Sequence, residues 1–175
     1  MRLWKKDKEW SEGFFLQVRE IIRDLAGELI SIQKAEDEDD IHKATDFTVK
    51  VESGDIACRI RRSRYLKDFG DITIRYSRPS GTPTEYEKIR KGFAKWFFYG
   101  WADENDKITA WIFVDLDKLR ASGLLENRTP VFNKDGTSFV AIPITDLEKS
   151  GCIKAEFRDG IKIVVIQSAQ AQEVG

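Results

Sequence analysis

Three consecutive stretches of the chain alternate apolar with polar residues, which predicts three β-strands. They read "TDFTVKVES", "GDIACRIRR" and "GDITIRYSR" and lie between residues 45 and 78. Side chains two residues apart share a face of a strand, so each stretch has an apolar face for a core and a polar face. Turn-forming residues at Ser53, Gly54 and Asp55 predict that the first two strands form a hairpin.

Helical spacing flanks these strands. Apolar residues recur at intervals of three and four in "SEGFFLQVREIIRDLAGELISIQK" and in "TPTEYEKIRKGFAKWFFYGW", where Thr84 is a candidate cap with Glu87 three residues later. "KITAWIFVDL" is apolar on both faces, which is typical of a central strand. "DLDKLRASGLL" and "TDLEKSG" predict short helices around a strand in "TSFVAIPI", and the last two strands should form a hairpin about Asp159 and Gly160. The order α-β-β-β-α-β, with further strands and short helices, predicts an α/β fold in which helices flank a mixed central sheet.

The chain has 175 residues and neither an internal repeat nor a linker-like segment, so we predict a single domain over residues 1–175. Its core should span about 11–166, and residues 167–175 should form a frayed tail. The two cysteines lack metal-ligand spacing and should be reduced thiols. Charges interrupt the aromatic residues of the N-terminal stretch, and no window is apolar enough to span a bilayer. We therefore expect a cytoplasmic protein without a membrane partner.

Arginines are concentrated in the second and third of these stretches. The net charge is only −1, so an anionic partner must meet a local patch. Between residues 59 and 78 there are seven basic residues and two acids, a surplus of five. The planar guanidinium fork fits phosphate oxygens, so we predict phosphate contacts from several of these residues and from the following helix. The predicted set is Arg59, Arg61, Arg75, Arg78 and Lys88.

If the three strands are neighbours, their polar faces bring Asp46, Arg59, Arg61 and Arg75 to one surface. The alternative is that the arginines are solvated and pair with the acidic run "EDEDD" at residues 36–40. The single histidine, His42, lies beside that run and is expected on the surface. The aromatic residues of "WFFYGW" should be mostly core, with Tyr99 or Trp101 as the exposed exceptions that could stack on a base.

The order of elements, with Asp46 in "ATDF" and cations in "IACRIRR" on the hairpin partner, resembles the core of the PD-(D/E)XK nuclease superfamily. That resemblance implies metal-dependent phosphodiester hydrolysis with Mg²⁺ or Mn²⁺. Asp46 would be a metal ligand, and Asp46, Arg59 and Arg61 would form the catalytic set. If Arg59 occupies the position of the family's lysine, Ala57 stands where the second acid belongs; if Arg61 does, Arg59 stands there. A second metal ligand would then come from another acid, Asp55 first, with Glu52, Glu20 and Asp71 as alternatives.

The pattern "ATDF…ACRIRR…DITIR…SGTPTEYEKI…WFFYGWAD…WIFVDLD" also resembles uncharacterised proteins encoded in phage and prophage regions. Three functions follow as expectations. The first is a divergent nuclease acting on nucleic acid, on DNA rather than RNA. The second is a relative that binds nucleic acid without cleaving it. The third is a protein-interaction or assembly module in which the arginines grip acidic partner surfaces.

Overall fold

The computed structural model describes Trp10 and residues 12–26, 31–34, 47–51 and 54–164. Ten strands and five helices lie within these residues. The strands are β1 (Ser31–Lys34), β2 (Phe47–Val51), β3 (Gly54–Arg62), β4 (Asp71–Ser77), β5 (Trp96–Ala102), β6 (Ile108–Asp115), β7 (Val131–Phe132), β8 (Ser138–Pro143), β9 (Ile153–Arg158) and β10 (Ile161–Val164). The helices are α1 (Phe15–Ala26), α2 (Arg64–Phe69), α3 (Glu85–Arg90), α4 (Leu116–Ser122) and α5 (Ile144–Lys149).

The strands form two sheets. The larger has seven strands in the order β1-β2-β3-β5-β6-β9-β10, and the smaller has three in the order β4-β8-β7. Only β3 and β5 pair in parallel, while the other neighbouring strands in both sheets are antiparallel. The fold is therefore α/β with a mixed main sheet, as the sequence predicts, and it includes a second sheet that the sequence analysis did not foresee.

Each face of the main sheet has its own core. On one face, Phe14 and Val18 of the α1 region pack against Ile56, Cys58 and Ile60 of β3. The opposite face packs against the smaller sheet and the short helices, and its core includes Ala57, Tyr99, Trp101, Ile72, Ile74, Tyr86, Val140 and Ile142. Burial on both sides stabilises the central strands, since roughly 25 cal/mol is gained for each Å² of apolar surface removed from water.

The position of β4 corrects one prediction. Its sequence "DITIRYS" forms a strand as expected, but β4 is not a neighbour of β3 in the main sheet. It pairs only with β8 and forms an edge of the smaller sheet, which lies over the polar face of β3. Alternation predicts a strand and its faces, but it does not determine which strand is its partner.

The second predicted helix is also shorter than expected. The capping box of Thr84 and Glu87 is present, but α3 ends at Arg90. Gly92 and Ala94 then adopt positive φ angles of 84° and 57°, and Trp96–Ala102 forms strand β5. This strand is apolar on both faces because it lies between β3 and β6, and such a run cannot be distinguished from a buried helix by spacing alone. Tyr99 and Trp101, predicted as the exposed aromatics, are buried in the core.

The first predicted helix likewise ends early, because α1 stops at Ala26 and Ser31–Lys34 pairs with β2 as strand β1. Strand pairing here overrides helical spacing. The other predicted elements named next are present, whereas the predicted frayed tail, residues 167–175, lies outside the described residues. The β2–β3 hairpin forms, α4, β8 and α5 are present, and β9 and β10 form the closing hairpin. Asp159 and Gly160 both have positive φ, 53° and 79°, as a tight hairpin turn of this kind requires.

Of the helices that the structure describes, none combines the length and the apolar character needed to cross a membrane.

Candidate functional site

Arg59 lies between the two sheets rather than on an open surface. Its Nη1 is 3.2 Å from the Oε2 of Glu85, and the two side chains are only 20% and 4% exposed. The same Nη1 donates a hydrogen bond to the backbone oxygen of Thr73 at 3.4 Å. Glu85 is the first residue of α3, so this ion pair connects β3, β4 and α3.

Side chains provide hydrogen-bond partners for backbone groups on the outer edge of β4. An edge strand leaves backbone N–H and C=O groups without strand partners, and such groups need other hydrogen bonds when buried. The N–H of Thr73 donates to the hydroxyl of Tyr99 at 3.2 Å, and the N–H of Arg75 donates to the Oε2 of Glu85 at 3.0 Å. Together with the bond from Arg59, these contacts give partners to three backbone groups of Thr73 and Arg75 on this edge. Arg59 and Glu85 therefore have a structural role.

Lys88 was predicted to contact phosphate, but the residue is only 1% exposed. It lies three positions after Glu85 on α3, so both residues face the interior while Glu87 and Arg90 face solvent. With this burial, Lys88 presents no charge at the surface to a polyanion, and the prediction is wrong for the conformation described.

Arg62 points to the other face of β3, towards the N-terminal region. Its Nη1 is 2.7 Å from the Oδ1 of Asp106, and its guanidinium group lies 4.1 Å from the centre of the Trp10 ring. The indole N–H of Trp10 donates to the same carboxylate oxygen at 2.7 Å. The pKa of Asp106 is lowered first by the bond from Trp10 and then by Arg62. This cluster attaches the segment before α1 to the turn between β5 and β6.

Arg61 lies at the end of β3 where the chain continues into α2. Its Nη1 donates to the Oγ1 of Thr73, and its guanidinium group lies 4.4 Å from the centre of the Tyr65 ring. Arg64 also lies over this ring, at 5.0 Å, and donates to its hydroxyl at 3.2 Å. The ring of Phe69 is nearly parallel to that of Tyr65 at 20°, with the centroids 6.4 Å apart. We call Arg61, Arg64, Tyr65, Lys67 and Phe69 the cationic–aromatic surface.

Two pKa values are shifted at or beside this surface. The hydrogen bond from Arg64 lowers the pKa of Tyr65, and the positive charges of Arg64 and Arg61 act in the same direction against partial burial. Asp71, at the start of β4, has a raised pKa because of burial, which the charge of Arg61 opposes. Within the described part of the chain, no carboxylate forms an ion pair with Arg61, Arg64 or Lys67.

The other predicted site residues are dispersed. The side chain of Arg75 is exposed, and its charge is a minor cause, after the hydrogen bonds of Thr137, of the lowered pKa of Asp135. Arg78 follows β4 and donates from Nη2 to the backbone oxygen of Pro83 at 3.3 Å. Asp55 lies near the start of β3, six residues from Arg61, which is about 20 Å along a strand.

The predicted metal site is only partly within the described structure. Asp46, the first metal ligand predicted, lies outside the described residues, as do Glu52, His42 and the acidic run. Among the residues that the structure does describe, no three His, Cys, Asp or Glu side chains are grouped closely enough to hold a metal ion. Asp55 belongs to no such group among these residues, and the Mg²⁺ or Mn²⁺ site stays a prediction.

Comparison of the chain with protein-family models, with curated proteins and with solved structures finds no match.

The sequence analysis missed Tyr65, Phe69 and Glu85. The stretch "SRYLKDFG" lies between two predicted strands and was not assigned to an element. The sequence signal for helix α2 is the spacing of four between Tyr65 and Phe69, followed by Gly70. In the structure Gly70 ends α2 in the left-handed conformation with a φ of 60°. Nothing in the sequence indicated that Glu85 would be the partner of Arg59, because the contact depends on the packing of two sheets.

Proposed function

We propose that the protein binds nucleic acid and that the phosphate backbone of the nucleic acid lies on the cationic–aromatic surface. One observation carries this proposal. Arg61, Arg64 and Lys67 lie close together in the sequence around α2, and no described carboxylate forms an ion pair with any of them. By contrast, Arg59 and Arg62 have carboxylate partners at 3.2 Å and 2.7 Å. Cations without such partners keep their charge available for a polyanion.

The placement of Arg61 supports the proposal. Its guanidinium group is oriented by Thr73 on one strand and by the Tyr65 ring. A side chain that is already oriented loses less conformational entropy when it binds a phosphate. Arg64 and Lys67 are exposed and three positions apart on α2, so they present charge on one side of the helix.

Two acids near the surface oppose binding without cancelling it. Asp68 is exposed on α2, and Asp71 is partly buried at the start of β4. The surface has three cations beside these two carboxylates, so its local net charge stays positive. We therefore expect measurable but salt-sensitive affinity, since released counterions supply much of the binding free energy at low salt.

Fluorescence anisotropy with short labelled single-stranded and duplex DNA tests the proposal, at about 50 mM and about 200 mM salt. The wild-type protein should bind at low salt and weaken steeply at high salt. The double variant Arg64→Ala/Lys67→Ala should weaken binding to every sequence alike and reduce the slope of log affinity against log salt by about 2, which is about 1 for each phosphate contact. A matching RNA strand tests the proposed preference for DNA.

The matched control removes two other exposed cations, Lys91→Ala/Lys95→Ala. The backbone N–H of Lys95 donates to the backbone oxygen of Asp55 near the start of β3, so Lys95 lies at the opposite end of the strand from Arg61. The control should bind almost as the wild type does. No binding at low salt, or equal losses in both double variants, would contradict the proposal.

The nuclease form of this proposal, with a PD-(D/E)XK-like active site, depends on Asp46 and on Asp55 as a second ligand of Mg²⁺ or Mn²⁺. Its support is the resemblance of the sequence alone. Metal-dependent cleavage of DNA that Asp46→Ala abolishes would establish it. Binding without cleavage would leave the non-catalytic form.

A further inference from the structure

The aromatic part of the cationic–aromatic surface has an exposed outer ring. Tyr65 and Phe69 are four residues apart on α2, so their rings lie on the same side of the helix. Phe69 is 66% exposed, although it is a large apolar side chain. Leu66 of the same helix instead packs against the core, so α2 directs one apolar residue inwards and holds another in solvent.

The two rings differ in what they contact. The guanidinium groups of Arg61 and Arg64 lie 4.4 Å and 5.0 Å from the centre of the Tyr65 ring. Phe69 has the Tyr65 ring beside it and no cation among its described ring contacts. The Tyr65 ring therefore contacts two arginines and Phe69, whereas the largely exposed Phe69 ring has only Tyr65 among its described ring contacts.

The helix ends directly beside this ring. Gly70 has a φ of 60°, and a Cβ built on it would meet no atom within 4 Å. The space into which a side chain at position 70 would project is therefore open, next to the exposed Phe69 in the chain. Every nucleobase has a π-face, and stacking on an aromatic side chain is a common means of binding single strands.

We propose that Phe69 stacks on an unpaired base while Arg64 and Lys67 hold the adjoining phosphates, so that the ligand class is single-stranded nucleic acid. This inference rests on the proposed function and specifies its ligand. In a duplex the bases already stack on one another and are not accessible to Phe69 except at the ends. The cations alone would bind both forms, and the exposed ring adds the preference for the single strand.

The experiment compares three labelled DNA ligands of equal length: a single strand of mixed sequence, a blunt-ended duplex, and an abasic strand that keeps the phosphates but lacks the bases. The wild-type protein should bind the single strand most tightly. Phe69→Ala should weaken that binding about fivefold or more and leave binding of the abasic strand unchanged. Phe69→Trp should retain the affinity, because it keeps a π-face.

Phe69→Leu separates stacking from simple apolar contact. Leucine keeps apolar volume without a π-face, so it should lose affinity for the single strand as Phe69→Ala does. Phe69 is largely exposed, so these variants should stay folded, and circular dichroism with urea unfolding checks this.

The outcomes distinguish the two proposals. If Arg64→Ala/Lys67→Ala loses affinity but Phe69→Ala does not, the stacking inference is wrong and phosphate binding stands. Retention by Phe69→Leu, or equal wild-type affinity for the single strand and the abasic strand, also overturns stacking. If the wild type binds none of the three ligands at low salt, the proposed function is wrong, and this inference falls with it.

Discussion

Arg59 and Arg61 lie two residues apart on one face of β3, yet they have different kinds of partner. Arg59 is enclosed between two sheets and paired with the buried carboxylate of Glu85. Arg61 lies where the strand ends, beside the ring of Tyr65 and without a described carboxylate partner. The two have the same side chain and the same strand direction, so their difference comes from what covers each position. Both side chains are partly buried, and they differ in their partners.

The two arginines show how the burial and the partners of a charged side chain limit its availability to a ligand. A charge taken out of water must be paired and hydrogen-bonded, so a buried arginine commits its donors to the protein. Arg59 donates to Glu85 and to the backbone of Thr73, which leaves it a structural residue. A charge near the surface keeps most of its hydration and can exchange it for contacts with phosphate.

The largest predicted effect is the loss of stability when the ion pair between Arg59 and Glu85 is removed. Glu85→Ala removes the acceptor of Arg59 and of the Arg75 N–H, so it should lower the free energy of unfolding by about 3–5 kcal/mol. Urea unfolding measures this. The matched control is Glu126→Ala, whose pair with Arg90 is 3.3 Å long and about half exposed, and which should cost less than about 1 kcal/mol. Equal costs for the two variants would remove the distinction between the interior and the surface.

Tyr99→Phe should have the next largest effect. The hydroxyl of Tyr99 accepts from the N–H of Thr73 at 3.2 Å in the core, and its loss leaves that edge donor without a partner. We expect a loss of about 1–3 kcal/mol in urea unfolding, with no change in DNA affinity. Tyr76→Phe is the control, because Tyr76 is 38% exposed and should tolerate the change. A stable Tyr99→Phe variant would show that β4 does not depend on this hydrogen bond.

Asp68→Asn tests whether the charge of the cationic–aromatic surface determines DNA affinity. It removes an exposed negative charge from α2, between Arg64 and Phe69 in sequence, without changing the shape of the side chain. The DNA affinity should rise a few-fold at about 50 mM salt and the gain should shrink at about 200 mM, because exposed charges are screened. Stability should change by less than about 0.5 kcal/mol. Unchanged or weaker binding at low salt would place the DNA elsewhere on the protein.

The smallest effect concerns the phenol of Tyr65. Its pKa is lowered chiefly by the hydrogen bond from Arg64, so its phenolate should form at a lower pH than that of an ordinary tyrosine. Arg64→Ala removes that bond and should move the pKa upwards, towards the ordinary value. Ultraviolet absorbance titration of the wild type and of Arg64→Ala measures the shift, with Tyr65→Phe identifying the signal. A downward shift in Arg64→Ala would contradict the described contact.

Part of the candidate site could be read from the sequence. The clustering of arginines around residues 59–64 and the polar face shared by Arg59 and Arg61 follow from strand periodicity, and both residues do lie on the face that meets β4. The burial of Lys88 and of Tyr99 could not be read in the same way. Helical spacing gives the relative direction of side chains on one element, but not which side another element will cover.

The sequence by itself determined the α/β class, the two hairpins, the capping box of α3 and the strand character of β3, β4, β6 and β8, because these depend on residues close together in the chain. Only the tertiary structure decided that β4 belongs to a second sheet and that "WFFYGW" is a central strand. It also decided that Arg59 pairs with the carboxylate of Glu85 while Arg61 contacts the Tyr65 ring. The physical reason is that strand pairing and burial are gained between residues far apart in sequence, where the local pattern fits more than one partner.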